Sequence, residues 1–378
     1  MIFKRKLYDK LLVWKQQTAG TKALLIEGAR RIGKSTLVEE FAKNEYRSYL
    51  MIDFNKVSDS VISAFNNYMN DLDTFFLILS SEYGVRLYPK ESIIIFDEIQ
   101  QFPKARQAIK YLVADGRFDY IETGSLISIK ENVNDITIPS EERTLLMYPM
   151  DFEGFAWAMN EEPLMAYIRQ CFDKKVPLEQ GIHAKAMLLF RQYMIVGGMP
   201  KSLSAYLENN RNFEIRDILT LYRNDIKKIK SGYRSSVLSI FDQIPAFLSR
   251  SERRVVMNRI EKGASFPKYH DTFFWLSDSM IANECFNCSD PNVGLSLNED
   301  RTYEKCYMGD TGLLISHTFD ENEISDGELY REILLGKLSV NEGMFYENVI
   351  AQMLVAAGHK LYFYTRYNQE KHRNDMEI

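Results

Sequence analysis

The segment Gly28-Ala-Arg-Arg-Ile-Gly-Lys34-Ser35 constrains the fold of this chain more than any other feature of the sequence. It fits the pattern G-x-x-x-x-G-K-[ST], follows a short apolar run at 22–26, and precedes apolar residues at helical spacing (37, 38 and 41). A strand, a glycine-rich loop and a helix in this order form a phosphate-binding loop, because backbone N–H groups and the positive end of the helix surround a polyphosphate. The sequence therefore predicts an α/β fold with this P-loop at the carboxyl end of a parallel strand.

The chemistry of the loop predicts an ATP site with Mg²⁺. Lys34 is expected to neutralise the β- and γ-phosphates, and the Ser35 hydroxyl is expected to ligate Mg²⁺. One of the two loop arginines, Arg30 or Arg31, is expected to face the phosphates or the base and the other to face solvent; the sequence does not say which. The predicted nucleotide-binding residues are Gly28, Ala29, Arg30, Arg31, Ile32, Gly33, Lys34, Ser35 and Thr36.

A second apolar run, 92–97, ends in the carboxylates Asp97 and Glu98. This arrangement is typical of a Walker B motif, in which Asp97 would hold Mg²⁺ through water and Glu98 would polarise the attacking water as the catalytic base. The alternative is an ordinary helix start, where carboxylates are favoured by the helix dipole.

Two further buried strands are predicted at 49–53 and 118–122, with one helix over 61–80 between the first of them and the Walker B strand. Strands that alternate with helices indicate a parallel sheet with helices on both faces. Thr123 follows the last of these strands and is predicted to orient the attacking water, with Ser125 as the alternate; a simple N-cap or turn is the competing interpretation.

After Pro149 the sequence pattern changes to helices. Residues 151–230 predict several helices, 235–260 two more, and the apolar residues of 273–281 another. A turn at 290–294 separates two short strands that end near Tyr307, so that three helices and a hairpin outline a winged-helix domain. Residues 320–330 are predicted to be a linker, followed by a helix at 343–357 and a strand at 361–364.

These motifs resemble the predicted AAA+ ATPases of bacteria and archaea, a family often compared with the STAND-type signalling ATPases. The resemblance is carried by the P-loop, by Asp97-Glu98-Ile99-Gln100, by Thr123-Gly-Ser125, and by Arg143 with the following Tyr148-Pro-Met-Asp-Phe-Glu-Gly-Phe155. Gly309-Asp-Thr-Gly-Leu-Leu314 resembles the segment that follows the winged helix in that family.

The resemblance implies four parts: an AAA+ core at 1–150, a helical lid at 151–232, a winged-helix domain at 233–320, and the start of a restriction-endonuclease-like α/β domain at 321–378. It also implies that Arg143 contacts the γ-phosphate, in cis or from a neighbouring subunit, as an arginine finger does. The alternative for Arg143 is a surface salt bridge.

Glu347 lies on the apolar face of the helix predicted at 343–357. In nuclease folds of this type the first helix supplies a Glu near the metal site, and the alternative is a helix-start carboxylate. The chain ends at Asp375-Met-Glu377-Ile378, one residue short of the metal-binding Asp of that family. We therefore expect an incomplete nuclease-like domain that cannot perform metal-dependent nuclease chemistry.

The formal charge of −5 and the pI of about 5.7 argue against a globally basic nucleic-acid binder. The predicted recognition helix, 270–284, contains no Lys or Arg, so DNA recognition by this helix is only weakly supported. Two interpretations stay open for the basic residues that precede it, a stripe that tracks phosphates or ordinary solvated helix faces. These residues are Arg223, Lys227, Lys228, Lys230, Arg250, Arg253, Arg254 and Arg259.

Four cysteines are too few for a disulfide scaffold in a chain of 378 residues, and Cys285-x-x-Cys288 lacks the second close pair that a structural zinc site needs. The amino terminus has no apolar signal region, and no run approaches the length of a membrane helix. These features predict a cytoplasmic protein without membrane contact.

The sequence as a whole favours a Mg²⁺-dependent AAA+-type ATPase whose hydrolysis of ATP to ADP moves the lid and the winged helix, with a protein partner bound through the winged-helix or C-terminal domain. The alternatives are a nucleotide-operated scaffold with negligible turnover and a DNA-acting ATPase with a nuclease-like tail.

Overall fold

The computed structural model describes residues 1–125, 140–208, 215–227, 234–250, 253–292, 294–319, 342–368 and 373–377. The chain divides into two compact units, Met1–Tyr148 and Pro149–Ile378, which are described separately. Among the described residues, none of the helices combines the length and the apolar character that a bilayer crossing demands.

The N-terminal unit is a five-stranded sheet with helices on both faces. Its strands are β1 (Ala23–Gly28), β2 (Ser48–Asp53), β3 (Ser92–Asp97), β4 (Asp119–Ser125) and β5 (Glu142–Met147). Its helices are α1 (Leu7–Gln17), α2 (Lys34–Glu45), α3 (Asp59–Asn67), α4 (Leu72–Tyr83) and α5 (Pro103–Asp115), with a 3₁₀ turn at Ile99–Gln101.

All strand pairings in this sheet are parallel, and the order is β2-β3-β4-β1-β5. The carboxyl ends of β1, β3 and β4 therefore meet at one edge, which brings the P-loop, the Asp97-Glu98 pair and Thr123 together. This arrangement confirms the predicted parallel α/β sheet and places the predicted site residues at one edge of it.

An aromatic core covers one face of the sheet. Rings from α3 and α4 pack against β3, with Phe65 5.7 Å from Phe96 and 5.0 Å from Phe75 between ring centroids. On the other face α2 contacts β1, β2, β3 and β4, and α1 packs on α2. Burial on both faces explains the nearly continuous apolar runs of the central strands.

One prediction for this unit was wrong, and one strand was missed. The single helix predicted at 61–80 is two helices, α3 and α4, and the second begins where the Asp71 side chain accepts a hydrogen bond from the Thr74 N–H at 3.1 Å. Strand β5 was not predicted, because its sequence Glu-Arg-Thr-Leu-Leu-Met is partly exposed at the sheet edge and lacks a buried apolar run.

The second unit is helical at first and then contains a mixed sheet. Its helices are α6 (Phe152–Ala158), α7 (Glu162–Lys174), α8 (Gln180–Val196), α9 (Pro200–Leu207), α10 (Ile215–Lys227), α11 (Arg234–Leu248), α12 (Met257–Ile260), α13 (Phe266–Asp278), α14 (Thr311–Thr318) and α15 (Gly343–Ala356). Its strands are β6 (Ala282–Cys288), β7 (Glu299–Met308), β8 (Leu361–Phe363), β9 (Thr365–Asn368) and β10 (Arg373–Glu377), with a 3₁₀ turn at Leu295–Asn298.

Strands β6 and β7 form the predicted antiparallel hairpin, but a third strand joins it. β8 pairs parallel to β6, with Cys285 opposite Leu361, so the boundary predicted at residue 320 separates two strands that pair with each other. The helix predicted at 270–284 ends at Asp278, and the residues from Ala282 onward form strand β6. The linker predicted at 320–330 lies outside the described residues.

Candidate functional site

The P-loop has a shape that requires glycine at two of its positions. A Cβ at residue 28 would lie 2.3 Å from the Met147 carbonyl oxygen of β5 and 2.6 Å from Ile32 Cδ1. Gly33 has φ 90°, in the left-handed region that favours glycine, and Arg31 has φ 66°. The backbone approaches β5 closely at Gly28 and is left-handed at Arg31 and Gly33. The loop therefore forms a narrow cradle of backbone atoms at the start of α2.

Lys34 lies inside this cradle with only 6% of its surface exposed. Its Nζ donates hydrogen bonds to the carbonyl oxygens of Gly28 at 3.0 Å and Ala29 at 2.8 Å. Burial lowers the pKa of Lys34 to about 8, while the carboxylates of Glu98 and Asp97 act in the opposite direction. The ammonium group is thus held against the loop backbone and faces both carboxylates.

Asp97, at the end of β3, contacts side chains from α2 and from β4. Its Oδ1 accepts a hydrogen bond from the Ser35 hydroxyl at 2.8 Å and another from the Thr123 hydroxyl. Ser35 comes from α2, Asp97 from β3 and Thr123 from β4, so tertiary structure assembles the group. Hydroxyl and carboxylate oxygens are the ligands that Mg²⁺ prefers, together with phosphates and water.

Thr123 lies against both acidic residues of the Walker B pair. It is fully buried, its hydroxyl donates to Asp97, and its oxygen accepts from the Glu98 N–H at 3.4 Å. These two hydrogen bonds fix Thr123 beside the acidic pair, and its predicted role with the attacking water stays a prediction. The side chain of Ser125, the predicted alternate, lies outside the described residues.

Glu98 has a left-handed backbone, with φ 55°. Its carboxylate Oε2 accepts a hydrogen bond from the side-chain amide of Gln100, two residues along the chain. The sequence includes Gln100 in the segment that carries the family resemblance, but it predicts no role for this residue.

The two loop arginines are distinguished by their surroundings. Arg31 is exposed, whereas Arg30 is half-buried and its charge contributes to lowering the pKa of Lys34. Thr36, also predicted to contact nucleotide, is exposed on the first turn of α2.

Arg143 lies far from the P-loop within this unit. It is exposed on the edge strand β5 opposite Leu24, whereas Met147 is the β5 residue opposite Gly28. Four residues along a strand span about 13 Å. This position does not support the predicted contact with the γ-phosphate in cis, and a role in a neighbouring subunit stays a proposal.

Arg5 is a site residue that sequence reasoning missed. Its guanidinium donates to the carbonyl oxygens of Ile32 at 2.8 Å and Tyr148 at 2.5 Å, and so ties the P-loop to the end of β5. Nothing in the local sequence indicates this contact, because the two carbonyls come from segments far from Arg5 in the chain.

The residues at this edge fit a magnesium nucleotide. The cradle has no space for a Cβ at position 28, its lysine is buried against backbone carbonyls, and the donor set of Ser35 and Asp97 consists of hard oxygen atoms. These features are those of a site built to hold phosphate and a divalent cation.

The parallel sheet, the P-loop and the acid pair define a P-loop ATPase domain. In agreement, residues 20–156 match the family described as "AAA domain", and residues 187–323 match a family described as "Domain of unknown function (DUF8612)". The N-terminal domain is therefore related to AAA+ proteins. No curated protein matches the chain.

Three solved structures illustrate the similarity of this chain to known folds. AMPPCP-bound DnaA from Aquifex aeolicus is 11% identical with a TM-score of 0.27, and covers 74% of this chain and 90% of its own. The Thermotoga maritima RuvB Holliday junction branch migration motor is 14% identical with a TM-score of 0.32, at 76% and 90% coverage. Aeropyrum pernix Orc1 in complex with DNA is 10% identical with a TM-score of 0.29, at 85% and 93% coverage.

Glu347, predicted as a candidate nuclease carboxylate, is the centre of an ion-pair network in the second unit. It accepts hydrogen bonds from Lys305 Nζ at 3.2 Å and the Tyr307 hydroxyl at 2.5 Å, and it pairs with Arg253. Two cations and a phenol already satisfy this carboxylate, so the structure does not support a metal-binding role for it.

The remaining predicted sites of the second unit also have local partners. The Cys288 thiol donates to the Asp290 carbonyl at 3.1 Å, and the described ranges contain no group of three or more His, Cys, Asp or Glu side chains arranged to hold a metal ion. Arg223 donates to Asp242 at 3.1 Å, and Arg253 pairs with Glu347. Lys228 and Lys230 lie outside the described residues. At least two members of the predicted basic stripe are thus neutralised by carboxylates.

Proposed function

We propose that this protein binds ATP with Mg²⁺ and hydrolyses it at the carboxyl edge of the N-terminal sheet. The observation that carries the proposal is that the Ser35 and Thr123 hydroxyls both donate to Asp97 Oδ1. Asp97 precedes Glu98 in the chain, and the charges of both carboxylates act on the buried Lys34. Bound Mg²⁺ would supply charge neutralisation for the β- and γ-phosphates.

The chain's own residues would divide the work. Ser35 and Asp97 would hold the cation, and the Lys34 ammonium would neutralise phosphate charge. Glu98 would accept a proton from the attacking water at its carboxylate. Thr123 would keep both acidic residues in place through its two hydrogen bonds.

We further propose that turnover changes the conformation of the second unit, with the lid and the winged-helix region as the moving parts and a protein as the partner. The support is the resemblance stated from the sequence. The neutralised Arg223 and Arg253 favour a protein over a nucleic acid, because phosphate tracking needs cations that are available to the ligand.

The first test compares ATP hydrolysis and ATP binding in the wild type, Glu98→Gln and Lys34→Ala. We expect turnover in the wild type, and ATP binding with a loss of at least about 100-fold in kcat in Glu98→Gln, because the amide cannot accept the proton. Lys34→Ala should lose ATP binding itself. Tight binding without turnover in the wild type would support the scaffold alternative and contradict hydrolysis.

A further inference from the structure

Gln100 contacts the catalytic carboxylate of the proposed site. Its side-chain Nε2 donates to Glu98 Oε2, and only 3% of the Gln100 surface is exposed. A buried amide that contacts an acidic side chain two residues away is not required by the turn itself, whose backbone bond runs from Gln101 N–H to the Glu98 carbonyl at 3.0 Å. The contact between the side chains of Gln100 and Glu98 therefore has a reason other than the formation of the turn.

Two residues of the segment around Gln100, Ile99 and Phe102, are anchored in the aromatic core. Ile99 is 1% exposed and belongs to that core, and Phe102 stacks on Phe54 with a centroid distance of 5.6 Å and an interplanar angle of 26°. Because the turn is anchored at both of these positions, the Gln100 amide has little freedom to move away from Glu98.

The carboxylate held in this way faces the phosphate-binding lysine. Burial lowers the pKa of Lys34, and of the charges that oppose this effect the largest contribution comes from Glu98, ahead of Asp97. The left-handed backbone at Glu98 and the Gln100 amide thus act together on the carboxylate whose charge most strongly opposes the lowering of the Lys34 pKa.

An uncharged amide is suited to this task. Glutamate has several rotamers in solution, and a hydrogen bond to one of its oxygens selects among them. An ammonium or guanidinium at the same place would also stabilise the ionised carboxylate and make it a weaker base. A neutral amide donor has a smaller effect of this kind. The bond to Oε2 is compatible with proton transfer at Oε1.

We propose that Gln100 is a positioning residue for ATP hydrolysis, which orients the Glu98 carboxylate through its side-chain amide. The proposal rests on the proposed function, since it concerns the orientation of the base that hydrolysis requires. Gln100 itself is not expected to contact nucleotide.

The test compares Gln100→Leu with Gln101→Leu, a matched control at the exposed neighbouring glutamine of the same turn. For Gln100→Leu we expect kcat to fall about 10- to 100-fold, because a small misplacement of a catalytic group has an effect of this size. Its KM for ATP and its Kd for a non-hydrolysable ATP analogue should stay within about twofold of the wild type, since binding interactions remain. Gln101→Leu should match the wild type in all three.

A double variant separates positioning from general structural support. In the Glu98→Gln background, Gln100→Leu should cause no further loss of residual turnover, because there is no carboxylate left to orient. If Gln100→Leu does not fold, as judged by thermal unfolding, Gln100→Asn takes its place, since its shorter amide cannot span the same distance and should also lower kcat.

Three outcomes would overturn the proposal. The first is wild-type kcat in Gln100→Leu, and the second is a loss of ATP-analogue binding that parallels the loss of kcat. The third is an additive loss in the double variant. Absence of turnover in the wild type would overturn the proposed function together with this inference, whereas turnover that Gln100→Leu leaves unchanged would overturn this inference alone.

Discussion

Individual residues in the N-terminal sheet show how charge is distributed near the proposed site. Glu122, the residue before Thr123, is fully buried on β4. Around it lie Glu142 of β5, Arg106 of α5 and Glu27 of β1. Arg106 forms a bidentate pair with Glu142, at 2.8 and 3.0 Å, so the one cation of this group is already committed to another carboxylate. Burial first, and then Glu142, raise the pKa of Glu122 well above its ordinary value of 4.5.

This raised pKa predicts a pH dependence of stability. The folded protein keeps a proton on Glu122 that the unfolded chain releases above pH 4.5, so the contribution of this group to stability should fall as pH rises from 4.5 through the folded pKa. Glu122→Gln keeps a neutral side chain of the same shape and should remove that slope. The measurement is the free energy of unfolding of both proteins by urea between about pH 5 and 8. Parallel curves for the two proteins would contradict the prediction.

In the second unit, the turn before α14 joins three separate parts of the chain. Asp310 is buried, caps α14 by accepting from the Leu313 N–H at 3.1 Å, and accepts from the Gly198 N–H at 2.6 Å. Gln352 of α15 donates to the same carboxylate at 3.4 Å. A Cβ at Gly197 would lie 2.1 Å from Asp310 Oδ1, so the glycine pair is required for the close approach. This contact brings the Gly309–Leu314 segment against the Gly197-Gly198 turn.

Asp310→Ala should therefore destabilise the second unit. It leaves buried N–H groups without their acceptor, which costs about 2–4 kcal/mol in total. The control is Asp290→Ala, because Asp290 accepts a comparable backbone bond from Asn292 at 2.9 Å in an exposed turn; its loss should stay below about 1 kcal/mol. Chemical denaturation of the three proteins provides the measurement, and equal losses in the two variants would show that burial of the Asp310 network is unimportant.

At the scale of the whole molecule, the chain consists of two compact units, and the proposed chemistry lies in the first. A ligand that binds only the folded N-terminal unit stabilises that unit by mass action, whether or not the second unit changes its conformation. The two units therefore provide separate readouts of binding and of any response to it.

We expect ATP with Mg²⁺ to stabilise the N-terminal unit by about 2.7 kcal/mol at a concentration 100 times the Kd. Glu98→Gln should show the same stabilisation, because its binding residues are intact, and Lys34→Ala should show none. Calorimetric unfolding with and without nucleotide gives the answer. Stabilisation of Lys34→Ala equal to that of the wild type would contradict the assignment of the P-loop as the binding site.

The sequence by itself determined the local parts of the site. Strand, glycine loop and helix follow one another in 23–45, and the Walker B strand carries its carboxylates at its own end, so these features depend on residues close together in the chain. The parallel sheet followed from the alternation of such units.

Only the tertiary structure decided which distant side chains meet. The hydroxyl of Thr123 contacts Asp97 because the register between β3 and β4 places these two strand ends side by side. Arg143 lies away from the P-loop because the register between β1 and β5 places it opposite Leu24. Glu347 is neutralised by residues about 40 and 90 positions earlier in the chain, Lys305 and Arg253. Register and long-range ion pairs depend on how separate elements pack, and no local pattern of apolar and polar residues contains that information.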